Sequence, residues 1–213
     1  MRAYAGAVAA LARKDLLLEL RARDTLPAML LFVLSALVIF HFTLPSGSSE
    51  LAGHGLLWVA IVFTALLGLS RSYAPEREQG VMDGLVLAPS DRSAIWLGKT
   101  IAILAFLGAA EVVAVPAFQL FFSGLSGAAI GAIVLADVGI CAVGALLAAM
   151  SAASRTRELL LPLVFLPLVL PVVIGGVGAS VSDHPAQYLL FLALYDVLFA
   201  TISWASFEYV VTE

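Results

Sequence analysis

The sequence predicts an all-α integral membrane protein, six transmembrane helices preceded by an amphipathic interfacial helix. Three observations predict it. The 213 residues are 62% hydrophobic and only 12% charged, with a mean hydropathy of +1.06. A soluble domain is roughly half apolar and about a quarter charged, so lipid must solvate much of this surface. Six segments, near 26–44, 54–74, 100–122, 128–151, 159–180 and 188–211, stay apolar for long enough to cross a hydrocarbon layer of about 30 Å. All 11 Lys and Arg fall in three places. Arg2, Arg13, Lys14, Arg21 and Arg23 precede the first span. Arg71, Arg77, Arg92 and Lys99 lie between the second and third, and Arg155 and Arg157 between the fourth and fifth. The loops near 45–53, 123–127 and 181–187 have none. Positive loops stay in the cytoplasm, which places both termini there, and an even number of spans agrees.

Residues 1–25 form the first unit. Tyr4, Val8, Leu11 and Leu18 share one helical face, and the basic residues around them can reach lipid phosphates, so this helix is expected to lie on the membrane. Asp15 interrupts that apolar face. No uninterrupted apolar region precedes a small-residue cleavage site, so a cleaved signal is not expected. Asp24 or Thr25 can cap the first span, and Pro27 suits its first turn. The remaining unit, 26–211, holds the six spans. Its one cysteine, Cys141, excludes an internal disulfide.

The longest polar connection, 75–99, reads as a loop with a short helix. Pro75 can start that helix, with Glu76 and Glu78 at its positive end, and Gly80 and Gly84 can turn it around Asp83. Leu85, Val86 and Leu87 add an apolar shoulder before Pro89. Such a segment either docks into another protein or merely joins two spans. Gly98-Lys99-Thr100 resembles the end of a phosphate-binding loop, but the required first glycine is Ser93 and no strand precedes it. Trp96 and Lys99 instead suit an interfacial anchor at the start of the third span.

Glu111, Asp137 and Asp196 fall inside the third, fourth and sixth spans. Ionisable groups at that depth are costly, which suggests either helix assembly or a part in transport. His41, His54 and His184 lie near the outer ends of spans or in outer loops. Imidazole there either packs at the interface or ligates haem iron, and no local partner at motif spacing favours ligation. The fifth span carries Pro162, Pro167 and Pro171, so it is expected to face protein or a cavity, with a static kink or a hinge. Gly127 and Gly131, with Gly144, Ala148 and Ala152, suit close packing of the fourth span.

Several stretches together resemble the haem exporter protein B family, the ABC-2-type permease subunit of bacterial cytochrome c maturation. They are Arg13-Lys14-Asp15-Leu16 with Glu19-Leu20-Arg21, then Glu76-Arg77-Glu78-Gln79-Gly80 followed by Asp83, Leu85, Pro89 and Gly98-Lys99. Pro116 and the run Leu161-Pro162, Leu166-Pro167 and Leu170-Pro171-Val172 complete the resemblance. It implies a permease like the type V exporters in the bacterial inner membrane, with no catalytic residue of its own. Glu76, Arg77, Glu78, Gly80 and Asp83 would then lie in the coupling helix that contacts a separate ABC ATPase, the subunit that binds ATP. A haem-handling membrane protein, a small single-span subunit and a second copy of the chain are the other implied partners, and no nucleic acid is expected. Haem enters as a substrate or as cargo on a periplasmic chaperone, not as a resident cofactor. Two other readings stand beside it: an ABC-2 exporter of a lipid-like or drug-like compound, and a proton-coupled secondary transporter working through the three buried carboxyl groups. The absence of recognisable internal repeats counts against the second.

Overall fold

A computed structural model describes residues 2–45, 50–78, 91–122, 124–153 and 157–212. The helices are α1 (Arg2–Ala22), α2 (Thr25–Thr43), α3 (Glu50–Arg71), α4 (Ala74–Glu78), α5 (Arg92–Phe121), α6 (Gly127–Ala153), α7 (Arg157–Val181) and α8 (Pro185–Thr212). Six of these described helices, α2, α3 and α5 to α8, are long and apolar enough to span a membrane. Gly80, Asp83 and the rest of 79–90 lie outside the described residues.

The third span starts at Arg92, earlier than its apolar run suggests, because Asp91 caps it. The Asp91 carboxylate accepts from the Ser93 backbone N–H at 2.9 Å. The first span starts differently from expectation. Asp24 sits at its N-cap position without a side-chain cap bond, and Glu19 of α1 instead accepts from the Thr25 N–H at 2.7 Å. Between the two helices Arg23 adopts a φ of 57°. That left-handed residue ends α1 and turns the chain into the membrane.

Helix α6 is the most enclosed, packed by α8, α7, α5 and α3. Small residues allow this, Gly144 among those anticipated, but the pair Gly127 and Gly131 does not contribute. Gly127 has open space around it and Gly131 only an ordinary contact. The close approaches are at Gly144, where a Cβ would collide with Leu69 of α3, and at Gly139, where it would collide with Asp196 of α8. The common buried core of the helices includes Trp58, Leu69, Leu107, Phe118, Phe165, Leu192 and Phe207. Close packing of such groups, more than water exclusion, holds helices together in lipid.

Helix α7 is continuous through Pro162, Pro167 and Pro171. It does not turn its proline side wholly inward. Leu161, Phe165, Val169 and Val172 are buried, while Leu163, Pro167, Leu170 and Ile174 are exposed. The expectation of an entirely protein-facing helix is therefore corrected for the single chain. Each proline removes one backbone donor. Between Pro167 and Pro171, the Tyr195 hydroxyl of α8 donates to the Leu168 carbonyl at 2.9 Å.

Candidate functional site

Helix α1 brings its apolar face to protein rather than to lipid alone. Val8 and Ala12 are buried against α5, and Tyr4 and Ser93 share a hydrogen bond of 3.0 Å. The contact is close because position 98 is glycine. A Cβ there would come within 2.8 Å of the Leu11 Cβ and 3.4 Å of α1 backbone atoms. Leu17 and Leu20 remain outward, with exposed Arg13 and Arg21.

That docking places Lys14 and Asp15 beside Glu76 of α4 and Lys99 of α5. Lys99 Nζ donates to Glu76 Oε1 at 2.8 Å and to the Ser72 carbonyl at 2.6 Å. It also lies 3.2 Å from Asp15 Oδ2 and 4.7 Å from the centre of the Tyr73 ring. Lys14 Nζ lies 2.5 Å from Glu76 Oε1 and 3.1 Å from Asp15 Oδ1. Two cations and two carboxylates thus form one neutral network. The side chains of Lys99 and Glu76 are only 3% and 2% exposed, so their pairing offsets a desolvation cost of several kcal/mol per ion. Burial pushes the Asp15 carboxyl above its ordinary range, against the pull of Lys99 and Lys14. Burial alone would lower Lys14, but Glu76 and Asp15 outweigh it and hold its ammonium above the ordinary value.

Three expectations change here. Glu76 was expected on a docking surface and is instead interior, fastening α4 to α1 and α5. Lys99 is no lipid anchor, because its charge is taken up inside the protein. Trp96 is likewise buried, and its indole N–H donates to the Ala142 carbonyl at 3.0 Å. Residues 98–100 lie within α5, so the loop resemblance there has no loop to support it. The backbone of Arg77 and Glu78 completes α4.

The carboxyl groups in the spans converge on α6. Glu111 of α5 and Asp137 of α6 come close to each other where α5 packs on α6. Asp196 of α8 lies against Gly139 of α6, two residues along the chain from Asp137. All three are buried, and each keeps one oxygen, Glu111 Oε1, Asp137 Oδ1 and Asp196 Oδ1, without a hydrogen-bond partner among the described residues.

The histidines do not converge into one centre. His41 is exposed at the end of α2, its ring centre 5.1 Å from Phe121 and 5.8 Å from Phe122. His54, expected at the outer end of the second span, is buried within α3, 5.5 Å from Phe118. His184 is exposed in the turn before α8. Among the described residues no group of three His, Cys, Asp or Glu has the proximity for a metal ion.

A family model described as "CcmB protein" matches residues 6–208. A protein named heme exporter protein B from Pseudomonas aeruginosa is 32% identical over 205 residues, which cover 91% of this chain and 90% of that one. Its namesake from Paracoccus denitrificans is 31% identical over 209 residues, 93% and 94% of the two chains. That from Bradyrhizobium diazoefficiens is 28% identical over 180 residues.

Proposed function

This chain belongs to the CcmB protein family, and from that premise we propose that it is the membrane permease subunit of an ABC transporter for cytochrome c biogenesis. In this reading a partner ATPase hydrolyses ATP, and the chain couples that work to haem export or to release of a haem-loaded periplasmic chaperone. The names of the relatives, heme exporter protein B, support the haem-linked class. The observation that carries the coupling is the Glu76 anchorage. A short helix between two spans, tied by buried ion pairs to α1 and to the third span, can pass a push from a docked subunit into the membrane domain. The segment around Arg77, Glu78, Gly80 and Asp83 is proposed as the docking surface, and Glu76 as its internal mount. The basic end, with both termini, is assigned to the cytoplasmic side of the bacterial inner membrane. Two copies would supply twelve spans, and a haem-handling membrane protein and a small single-span subunit complete the proposed assembly.

Affinity purification of the full chain from its native membranes tests this. An ABC ATPase should copurify, and Glu78→Lys should reduce that recovery without changing the thermal stability of the chain. Normal recovery of the ATPase and normal ATP-dependent chaperone release in Glu78→Lys would sink the coupling assignment. Transport of substrate by the purified chain alone, driven by a pH gradient and indifferent to ATP, would favour the carboxyl groups Glu111, Asp137 and Asp196 as the machinery instead.

A further inference from the structure

Where α1 turns into α2, a cleft of about 460 Å³, counting its open mouth, separates α1, α3, α4 and α5. One part of its wall is apolar: Leu18, Ala102, Ile103 and Phe106. The other part holds two carboxylates, Asp15 and Glu19, and two cations, Arg71 and Lys99, and their commitments differ. Asp15 is occupied by Lys14 and Lys99, Glu19 accepts from the Thr25 N–H, and Lys99 is committed to Glu76, Asp15 and the Ser72 carbonyl. Arg71, at the end of α3, is exposed and has no hydrogen bond or ion pair among the described residues. A guanidinium forks onto an anionic oxygen pair better than any other side chain, and its bonds to phosphate are about twice as strong as neutral ones.

The position of the cleft narrows the anion. It opens at the level where α2 and α3 leave the apolar layer and where α1 runs beside them, which is the depth of lipid headgroups. Ala102, Ile103 and Phe106 lie one to two turns along α5 from Lys99, and Leu18 lines the same cleft from α1. We propose that this cleft binds one anionic phospholipid, its phosphate on Arg71 and the start of an acyl chain against Ile103 and Phe106. The ligand chemistry is a phosphate monoanion joined to a hydrocarbon chain. A free phosphate would satisfy Arg71 but would leave the apolar wall uncovered. The exposed basic residues of α1, Arg13 and Arg21, enrich such lipids nearby. This inference is independent of the transport reading, because it concerns a lipid held by the fold.

The test uses the full-length chain in nanodiscs and in mild detergent, with phosphatidylglycerol as the probe and phosphatidylcholine as the neutral control. Native mass spectrometry counts lipids retained per chain. One phosphatidylglycerol should remain bound to the wild type, with about tenfold weaker retention in Arg71→Gln, the loss expected for one charge-assisted contact. Arg71→Lys should recover part of it, and Ala102→Leu, which fills the apolar wall, should weaken retention while leaving Arg71 in place. Thermal unfolding of each variant without added lipid shows whether it is folded. Equal retention of phosphatidylglycerol by wild type and Arg71→Gln would overturn the proposal, as would equal retention of the two lipids by the wild type. Displacement by millimolar inorganic phosphate would reassign the cleft to a free anion and overturn the lipid.

Discussion

Glu76→Gln isolates the charge of the α4 mount while keeping its size and an acceptor oxygen. In the wild type Glu76 Oε1 faces Lys14 at 2.5 Å and Lys99 at 2.8 Å, with the two side chains of the deeper pair almost fully enclosed. Removing one partner of a buried pair costs about 3–5 kcal/mol, most of it from the charge left behind. Lys99 retains Asp15 at 3.2 Å and the Ser72 carbonyl at 2.6 Å, so the lower end applies, about 3 kcal/mol. For a chain of this size that is a fall in Tm of roughly 6–12 °C. Lys99→Met should cost a similar amount. The double variant should lose at least 2 kcal/mol less than the sum of the two singles, since no deep charge is then stranded. Equilibrium and thermal unfolding of the purified chain in mixed micelles measure all four proteins. Additivity within about 0.5 kcal/mol, or a Tm for Glu76→Gln within about 2 °C of wild type, would refute the network as the support of α4.

Other expectations follow from particular contacts. Gly98→Val should push α1 away from α5, because even a Cβ meets Leu11 at 2.8 Å, and protease cleavage within α1 should accelerate severalfold. Gly176→Ala should cost about 1–3 kcal/mol by overpacking, since its methyl would enter the Trp58 ring, while Gly127→Ala, with open space around it, should be nearly silent by the same unfolding assay. The advantage of wild type over Lys14→Met should be constant from neutral pH, where Asp15 and Glu76 are ionised, up to pH 10.5 and shrink as pH rises further. That sign follows because a raised folded-state value stabilises the protonated form, and its benefit disappears once the folded ammonium also loses its proton. Chemical unfolding at stepped pH checks it.

The six spans were legible because hydropathy over about 18 residues reports directly on length and solvent. Their edges were less so where charge lies inside protein. Lys99 reads as a boundary residue, yet it belongs eight positions into α5, and only the approach of Asp15 and Glu76 makes that tolerable. Those partners lie far away in sequence, and periodicity describes the average environment of a face, not the identity of what meets it. Asp15 was the available signal. A lone acid on an otherwise apolar helical face asks for a cation, and the structure supplies two. Small residues show the same limit: the spacing at Gly127 and Gly131 is as good on paper as the contacts at Gly139 and Gly144, but only the latter face a neighbour that needs the space. The histidines and intramembrane carboxyl groups were legible as unusual, and their grouping was not. Glu111 and Asp137 meet because α5 and α6 pack side by side, a fact no local pattern encodes.

The neutral network at the basic end also has an order of completion written into the chain. Its members appear during synthesis as Lys14 and Asp15, then Glu76, and last Lys99. With the chain made from its N-terminus, the first helix can find its seat only after the third span has begun to emerge. Until then Glu76 has no deep cation and Gly98 offers no groove to Leu11. The last lysine is therefore a closing latch, and the early part of this protein waits, unfastened, for a residue near the middle of the chain.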